Sequence, residues 1–347
     1  MSGHSNVLSE TLERTLTDLG RALSTGDIPG DLVSQALSGL AGLPPQAVVS
    51  ADAQIARLAG LHTPWSPGPD PMAGRKPTFA LLAREPRLAA LFLSHRDGFI
   101  REAALDCFGK PPTSAFFLAA LAWRLNDWAD QVRAAARDCA ARLFPLTDAD
   151  VVVGAAPFLL DRWRRWQRWG KGEIAIIDDM LRRPDVVERL VKDRFAQRLD
   201  GPLARELKYA LRGPSLDPRL PFLARAAKHP AVRATALQVL LRGEAFWPIG
   251  YGQEWIDKSL GRCRRVTLTA KRPLTIDRIS VEDLIREGLL DRSSMVRRVA
   301  ADALIERHGT FPGVDEVVAR LSRDRSRPVR ERADFLARKR AEEAQSS

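Results

Sequence analysis

Arginine and tryptophan alternate over a short central stretch of the sequence, residues 161–171. The residues that give it this character are Arg162, Trp163, Arg164, Arg165, Trp166, Arg168, Trp169 and Lys171. Indole rings stack on nucleobases, and guanidinium groups bind phosphates. The stretch is therefore a candidate contact surface for nucleic acid. The alternative is an amphipathic helix whose tryptophans pack inward while its arginines face water, and the spacing of three residues favours this alternative.

A second basic and aromatic stretch spans residues 245–278. Seven Lys and Arg residues against three Asp and Glu residues give it a net charge of +4. It interrupts the helical pattern, and long ordered insertions of this kind are usually functional. The candidate contact residues are Trp247, Trp255, Lys258, Arg262, Arg264 and Arg265, whose cations can bind phosphate or a carboxylate surface. A solvated insertion containing a small hairpin at 265–269 is an equally supported alternative.

Other chemistry-bearing patterns are missing from the sequence. It contains no HExxH, no phosphate-binding Gly-rich loop and no Gly-x-Ser-x-Gly elbow, and its five histidines are scattered. The three cysteines show no metal-ligand spacing, and Cys107 and Cys139 fall at equivalent positions that are expected to be buried. We therefore predict neither a metal nor a cofactor.

The overall charge points to an acidic partner. The formal net charge is +11 and the sequence pI is about 10.2, which favours nucleic acid, an anionic membrane surface or an acidic protein. There is no signal-peptide pattern and no run of about 18 apolar residues. With unpaired cysteines expected in a reducing compartment, the prediction is a cytoplasmic protein.

The elements that must position these residues are indicated by a repeated motif, in which a β-branched residue precedes Arg and Ala follows three residues later. Its arginines are Arg101, Arg133, Arg233, Arg297 and Arg330, and its alanines are Ala104, Ala136, Ala236, Ala300 and Ala333. The spacing fits a unit of about 33 residues with two helices, which is typical of an α-solenoid. The alanines are expected to let neighbouring helices approach closely. Few β-branched alternations argue against an extended sheet.

This motif resembles that of the HEAT-repeat family, including the HEAT-like repeats of phycobilisome lyases. The resemblance covers residues 85–342 and includes an aspartate before four of the copies, namely Asp97, Asp127, Asp291 and Asp324; His229-Pro230 replaces it in the fifth. It implies an all-α, right-handed α-solenoid in which the Asp and Arg of adjacent units pair. Each Asp can also cap the helix that follows it.

A catalytic alternative comes from the same resemblance, since some HEAT-like proteins are alkylpurine DNA glycosylases with a carboxylate beside tryptophans. Asp127 follows Trp123 by four residues, which places both on one helix face if the helix extends that far, and Trp128 is adjacent. Asp127 is thus the single catalytic candidate. It is also the repeat aspartate, and the surrounding residues lack the denser Trp/Asp motif of that family, so an enzyme is the least favoured of the hypotheses.

The predicted organisation has four parts. Residues 1–60 form an N-terminal helical cap, 61–77 a proline-rich linker, 78–342 the repeat solenoid with an irregular insertion at 245–278, and 343–347 a polar tail. The favoured function is a non-catalytic scaffold that binds a protein partner through a basic surface. Binding of DNA or RNA is the second hypothesis, and a glycosylase-like activity is the third.

Overall fold

The computed structural model describes residues 7–63, 70, 72–162, 166, 168, 170–277 and 279–346. This part of the chain is mostly helical, with 18 helices and 67% helical residues, and it contains one two-stranded sheet. The predicted all-α class is therefore confirmed except for that sheet. The chain forms two compact units, residues 1–186 and 187–347.

The described residues of the first unit form ten α-helices. They are α1 (Glu10–Thr25), α2 (Gly30–Ala41), α3 (Val48–Leu58), α4 (Lys76–Arg84), α5 (Ala89–Phe92), α6 (Gly98–Cys107), α7 (Ala115–Arg124), α8 (Asp130–Leu143), α9 (Ala149–Arg162) and α10 (Lys171–Arg182). Helix α11 (Pro184–Arg189) spans the boundary between the two residue ranges.

Helix α1 shows how local sequence sets these boundaries. The Ser9 hydroxyl accepts a hydrogen bond from the backbone N–H of Leu12, which caps the helix start. Leu12 and Leu16, one turn apart, are buried on the same face. Gly26 ends the helix with a φ of 77°, a left-handed conformation that glycine adopts without strain.

The Ala positions of the repeat motif lie in the core of each unit. Ala104 of α6 and Ala136 of α8 are completely buried where these two helices pack together. The equivalent alanines of the second unit, Ala236, Ala300 and Ala333, are also buried. The predicted inward position of these small side chains is confirmed. The burial predicted for Cys107 is wrong: α6 ends at this residue and leaves the thiol exposed, whereas Cys139 is buried.

Arg101 links α6 to the turn that precedes α8. Its Nε and Nη2 groups donate to the two carboxylate oxygens of Asp127 at 2.9 and 2.7 Å, and Nη1 donates to the carbonyls of His95 and Arg96. Both charged side chains are almost fully buried. A bidentate pair of this kind fixes distance and orientation together.

The second unit holds the remaining helices and both strands. They are α12 (Leu203–Ala210), α13 (Leu220–Ala226), α14 (Pro230–Arg242), β1 (Glu244–Asp257), β2 (Arg262–Pro273), α15 (Val281–Leu289), α16 (Ser294–Arg307), α17 (Val314–Leu321) and α18 (Arg327–Ser346). Helix α18 continues through residues 343–346, the segment that the sequence predicts as a polar tail.

The Arg–Asp pairing recurs twice in the second unit with the same geometry. Arg233 donates through Nε and Nη2 to Asp291, and Arg297 does so to Asp324, at 2.7–2.9 Å. The pairing predicted for these arginines is confirmed. Arg133 and Arg330 also donate through Nη1 to a backbone carbonyl before their own helices, as the other repeat arginines do, but Arg133 pairs its Nη2 with Asp130 of its own helix rather than with a later repeat aspartate.

The repeat aspartates also fix the turns before the helices. Asp97 is the N-cap of α6 and accepts from the N–H of Phe99, as predicted. Asp127, Asp291 and Asp324 lie further from their helices than Asp97 does, and each accepts from the N–H of the residue directly before the helix, namely Ala129, Ser293 and Ser326. They therefore stabilise the turn, an arrangement typical of Asx turns.

The segment predicted as an irregular insertion, or as one containing a small hairpin at 265–269, is a single long antiparallel hairpin, and residues 265–269 lie within its second strand. Strands β1 and β2 pair from Glu244 and Pro273 at the base to Asp257 and Arg262 at the tip. Gly261, with a φ of 62°, allows the tight turn between them. At the base the N–H of Leu274 donates to the carbonyl of Gly243 at 3.0 Å, so the two ends of the hairpin meet.

No helix among the described residues combines the length and apolar character that crossing a membrane requires.

We expect Asp127→Ala to lower the free energy of unfolding by about 3–5 kcal/mol, because the buried guanidinium groups of Arg101 and Arg124 lose a shared counter-charge. Asp130→Ala is the matched control and should change it by no more than about 0.5 kcal/mol, since this side chain is 89% exposed. Urea unfolding followed by tryptophan fluorescence measures both variants. Equal effects of the two substitutions would contradict a structural role for the Asp127 carboxylate.

Candidate functional site

The hairpin is fixed at its base by a buried ion pair. Arg272 of β2 donates through Nη1 and Nη2 to the two carboxylate oxygens of Asp217, both at 2.7 Å, and also to the carbonyls of Leu211 and Gly213. Asp217 is completely buried and accepts two further hydrogen bonds from Thr275. The base of the hairpin is thus held by donors and acceptors that are nearly all satisfied.

Aromatic packing adds to this attachment. The ammonium group of Lys208 and the guanidinium group of Arg242 lie 4.7 and 5.0 Å from the centre of the Phe246 ring in β1. Burial, together with the nearby charge of Arg242, lowers the pKa of Lys208. The strand residue Ala245 beside this ring is completely buried. The hairpin is therefore part of the second unit's core at its base.

Beyond the base, residues 249–269 form what we call the distal hairpin, and none of them is buried. Its exposed apolar side chains are Ile249, Tyr251, Trp255, Ile256, Leu260 and Leu268. Elsewhere in the described chain, exposed large apolar residues are scattered along the sequence. A cluster of this kind, surrounded by charged residues, marks an interaction surface.

Charges in the hairpin are divided between the strands. The acidic residues Glu244, Glu254 and Asp257 all lie on β1, which has no Lys or Arg. The basic residues lie on β2: they are Arg262, Arg264, Arg265, Lys271 and Arg272. Two opposite-charge pairs cross between the strands, Arg264 with Glu254 at 2.7 Å and Lys271 with Glu244 at 3.0 Å. One side of the ribbon is therefore acidic and the other basic.

One face of the distal hairpin combines aromatic rings with a cation. Strand alternation and register place Tyr251, Trp255 and Arg265 on the same face. The Arg265 guanidinium group lies 3.7 Å from the centre of the Tyr251 ring. Trp255 is 53% exposed. The arrangement can hold a flat group or an anion against the rings.

Of the residues predicted as contacts in this segment, five share the distal hairpin: Trp255, Lys258, Arg262, Arg264 and Arg265. Arg262 and Arg264 face away from Arg265, and Lys258 lies in the turn. Trp247 is half-buried near the base of β1. The sequence did not single out the four exposed aliphatic residues Ile249, Ile256, Leu260 and Leu268 or the ring of Tyr251, and it did not reveal the division of charge. The available signal was that Glu254 and Asp257 precede Gly261 whereas Arg262, Arg264 and Arg265 follow it, although Lys258 also precedes it.

The central Trp/Arg stretch has a different outcome where the structure describes it. Trp166 is only 5% exposed and packs edge to face against Trp123 and Phe158, with ring centres 5.5 and 5.8 Å apart. Its ring is therefore part of the core, in contrast to the predicted contact role. Arg168 is exposed, and its backbone N–H donates to the Asn126 side chain. Trp65, Trp163, Arg164, Arg165, Trp169 and the side chain of Arg162 lie outside the described residues.

Asp127 lines a cleft of about 640 Å³ in the first unit, together with Trp123 and Trp128. Its four lone-pair positions receive four donors: two from Arg101, one from Arg124 and one from the N–H of Ala129. Burial raises the pKa of Asp127, but the hydrogen bonds and charges of these groups lower it more, so the net shift is downward. The carboxylate is thus a fixed anion that stabilises the turn, which is poorly suited to proton transfer.

No protein-family model, curated protein or solved structure gave a significant match to this chain.

The cleft also contains a histidine whose titration predicts a pH dependence. Burial lowers the pKa of His95 from 6.5 to about 4, with Asp97 opposing and Arg101 adding to this shift. Between these values the unfolded chain binds a proton that the folded chain does not, so stability falls as pH falls from 6.5 to 4. We expect His95 to account for a loss of about 3 kcal/mol.

The test variant is His95→Asn, which removes the titrating group. Its side-chain oxygen can still accept the hydrogen bond that His95 Nδ1 receives from the Asp97 N–H. The variant should show a shallower fall in the free energy of unfolding over this pH range, measured by urea titration at each pH. Parallel curves for the variant and the original chain would contradict the assignment.

The ion pair at the hairpin base predicts a second result. Asp217→Ala should speed amide hydrogen exchange in the hairpin by about tenfold or more, because Arg272 and Thr275 lose their common acceptor. Glu254→Ala, which removes an exposed cross-strand partner, should have little effect. Exchange measured by mass spectrometry on hairpin peptides compares the two. Similar exchange rates in both variants would show that the ion pair between Arg272 and Asp217 does not hold the hairpin in place.

Proposed function

We propose that this protein is a non-catalytic interaction scaffold that binds an acidic protein partner through the distal hairpin. The observation that carries the proposal is the combination of exposed apolar and basic side chains on both faces of that hairpin. Burial of Ile256 and Leu260 against another protein removes their apolar surface from water, which favours binding. The nearby arginines of β2 favour a partner surface of opposite charge and exclude basic ones.

The helical part of the chain is, in this proposal, a HEAT-like α-solenoid that supports the hairpin. Five copies of the repeat motif and three Arg–Asp pairs of the same geometry support the inference. Solenoid units are joined to their neighbours, so an insertion between units leaves the rest of the array in place. The cytoplasm is the proposed location, supported by three cysteines that form no disulfide.

Nucleic-acid binding is the second candidate, and the face formed by Tyr251, Trp255 and Arg265 favours it. Aromatic rings with an adjacent guanidinium group stack on bases and hold phosphates. The same hairpin, however, also exposes aliphatic Ile249 and Ile256, which gain little from contact with a phosphate backbone. Burial of these side chains requires an apolar surface, which proteins supply. A protein partner therefore accounts for more of the exposed residues.

We expect the triple variant Arg262/Arg264/Arg265→Glu to lose the partner. The intact chain, immobilised and exposed to an extract of its own cells, should retain a small set of acidic proteins, and the triple variant should retain them at least about tenfold less. Quantitative mass spectrometry provides the measurement. The control variant is Arg298/Arg320/Arg323→Glu, which changes the net charge equally at exposed positions outside the hairpin.

Two results would contradict the proposal. One is retention of the same proteins by the hairpin variant and by the control. The other is loss of all captured proteins after nuclease treatment, combined with binding of labelled DNA or RNA that falls steeply with rising salt and requires the hairpin arginines. The second result would establish the nucleic-acid candidate instead.

A further inference from the structure

We propose that the acidic partner binds as an additional β-strand along the outer edge of β2. This inference rests on the proposed function and specifies the mode of binding and the kind of segment that is bound. In the described chain β2 pairs with β1 alone, so its other edge has no neighbouring strand. Alternate residues along that edge direct both N–H and C=O groups outward, where an extended peptide can pair with them.

The two edges of the hairpin differ in their capacity to accept a strand. Strand β1 contains Pro248, which has no N–H, and glycines at 250 and 252. Its register with β2 is also broken twice, between Pro248 and Gly250 and between Trp255 and Asp257. Proline, glycine and bulges are the features that prevent pairing at an edge. The outer edge of β1 is therefore protected.

Strand β2 has none of these features over its exposed length. From Arg262 to Thr269 it contains neither proline nor glycine, and every extra residue of the two register shifts lies on β1. It also contains the β-branched residues Val266, Thr267 and Thr269, which favour extended backbone. The result is a continuous, solvent-exposed edge that neither proline nor a bulge blocks, and its arginines oppose pairing with basic strands only.

Charge determines what can pair there. The exposed part of β2 carries Arg262, Arg264 and Arg265 and no acidic residue. Side chains directly opposite each other on paired strands stabilise the sheet when their charges are opposite and destabilise it when they are alike. A strand rich in Asp or Glu is therefore favoured. Pairing of two copies of β2 would bring arginines together, which disfavours self-association through this edge.

On both faces of the sheet, the side chains of an added strand would lie near arginines and apolar side chains of the hairpin. Arginines lie on both faces of β2, because Arg264 and Arg265 are adjacent and side chains alternate along a strand. Apolar groups also lie on both faces, with Trp255 on one and Leu268 on the other. The bound segment is thus expected to be acidic with interspersed apolar residues, in an extended conformation.

The test uses the full chain, labelled with ¹⁵N and ²H, and a synthetic peptide of alternating Glu and Val as long as β2, which has 12 residues. Amide exchange in the free protein first identifies the β2 amides that β1 protects. On addition of the peptide, the alternate β2 amides that were unprotected should exchange at least about tenfold more slowly, because they donate to the new strand. Amides of β1 should not change in this way.

Two peptides serve as controls. A peptide of alternating Glu and Pro has the same charge but cannot donate through half of its backbone, and a peptide of alternating Lys and Val has the same backbone with the opposite charge. Neither should protect the β2 amides. Equal binding by the Glu-Pro peptide, protection along β1, or association of the chain with itself through β2 would each overturn strand addition.

The two proposals fail in different ways. If the arginine substitutions in β2 abolish capture of an acidic protein while the Glu-Val peptide protects no amide, strand addition is wrong and the hairpin binds through its side chains. If the peptide protects alternate β2 amides but the arginine substitutions leave protein capture unchanged, the edge accepts a strand and the proposed function is wrong.

Discussion

The buried pairing of arginine with aspartate is the interaction on which the helical structure depends. Each guanidinium group contacts three places: the carboxylate of a later turn through two of its nitrogens, and two backbone carbonyls just before its own helix through the third. It therefore fixes the start of one helix and the approach of the next with a single side chain. A lysine has no such planar fork, so it cannot replace arginine here.

Burial of these ions makes the pairing selective rather than only stabilising. Removing two charges from water is unfavourable, and the pair is tolerated because its hydrogen-bonding groups are satisfied. A shift of one helix relative to another would leave a charge without its partner at large cost. Arg101 with Asp127 in the first unit, and Arg233 with Asp291 in the second, thus specify which helix ends lie together.

The repeat motif allowed the buried alanines to be predicted, because this position is small and inward in every copy, and the resemblance to HEAT repeats implied the Arg–Asp pairs, which Arg101, Arg233 and Arg297 form. The hairpin could not be predicted in the same way. A strand with one buried face shows an alternation of apolar and polar residues, whereas the distal hairpin is exposed on both faces and shows none. The division of charge is likewise hidden until the turn at Gly261 places acidic β1 beside basic β2.

Tryptophan and arginine in one stretch gave two opposite predictions, and packing decides between them where the structure describes the residues. Trp166 fills a space beside Trp123 and Phe158, while Arg168 remains in water. Spacing alone cannot show whether a neighbouring helix supplies that space. Asp127 shows the same limit: helix α7 ends at Arg124, so Asp127 and Trp123 do not share a helix face, and the four donors to its carboxylate come from three other residues.

The hydrogen bond between Leu274 and Gly243 has an evolutionary consequence. Because the two ends of the hairpin meet there, the chain leaves α14 and returns to the same point before α15 begins. Arg233 and Asp291, which join the helices on either side, lie outside the hairpin and do not depend on its sequence. Residues 249–269 can therefore diverge rapidly, lengthen or be exchanged for another recognition segment while the helical framework is inherited unchanged.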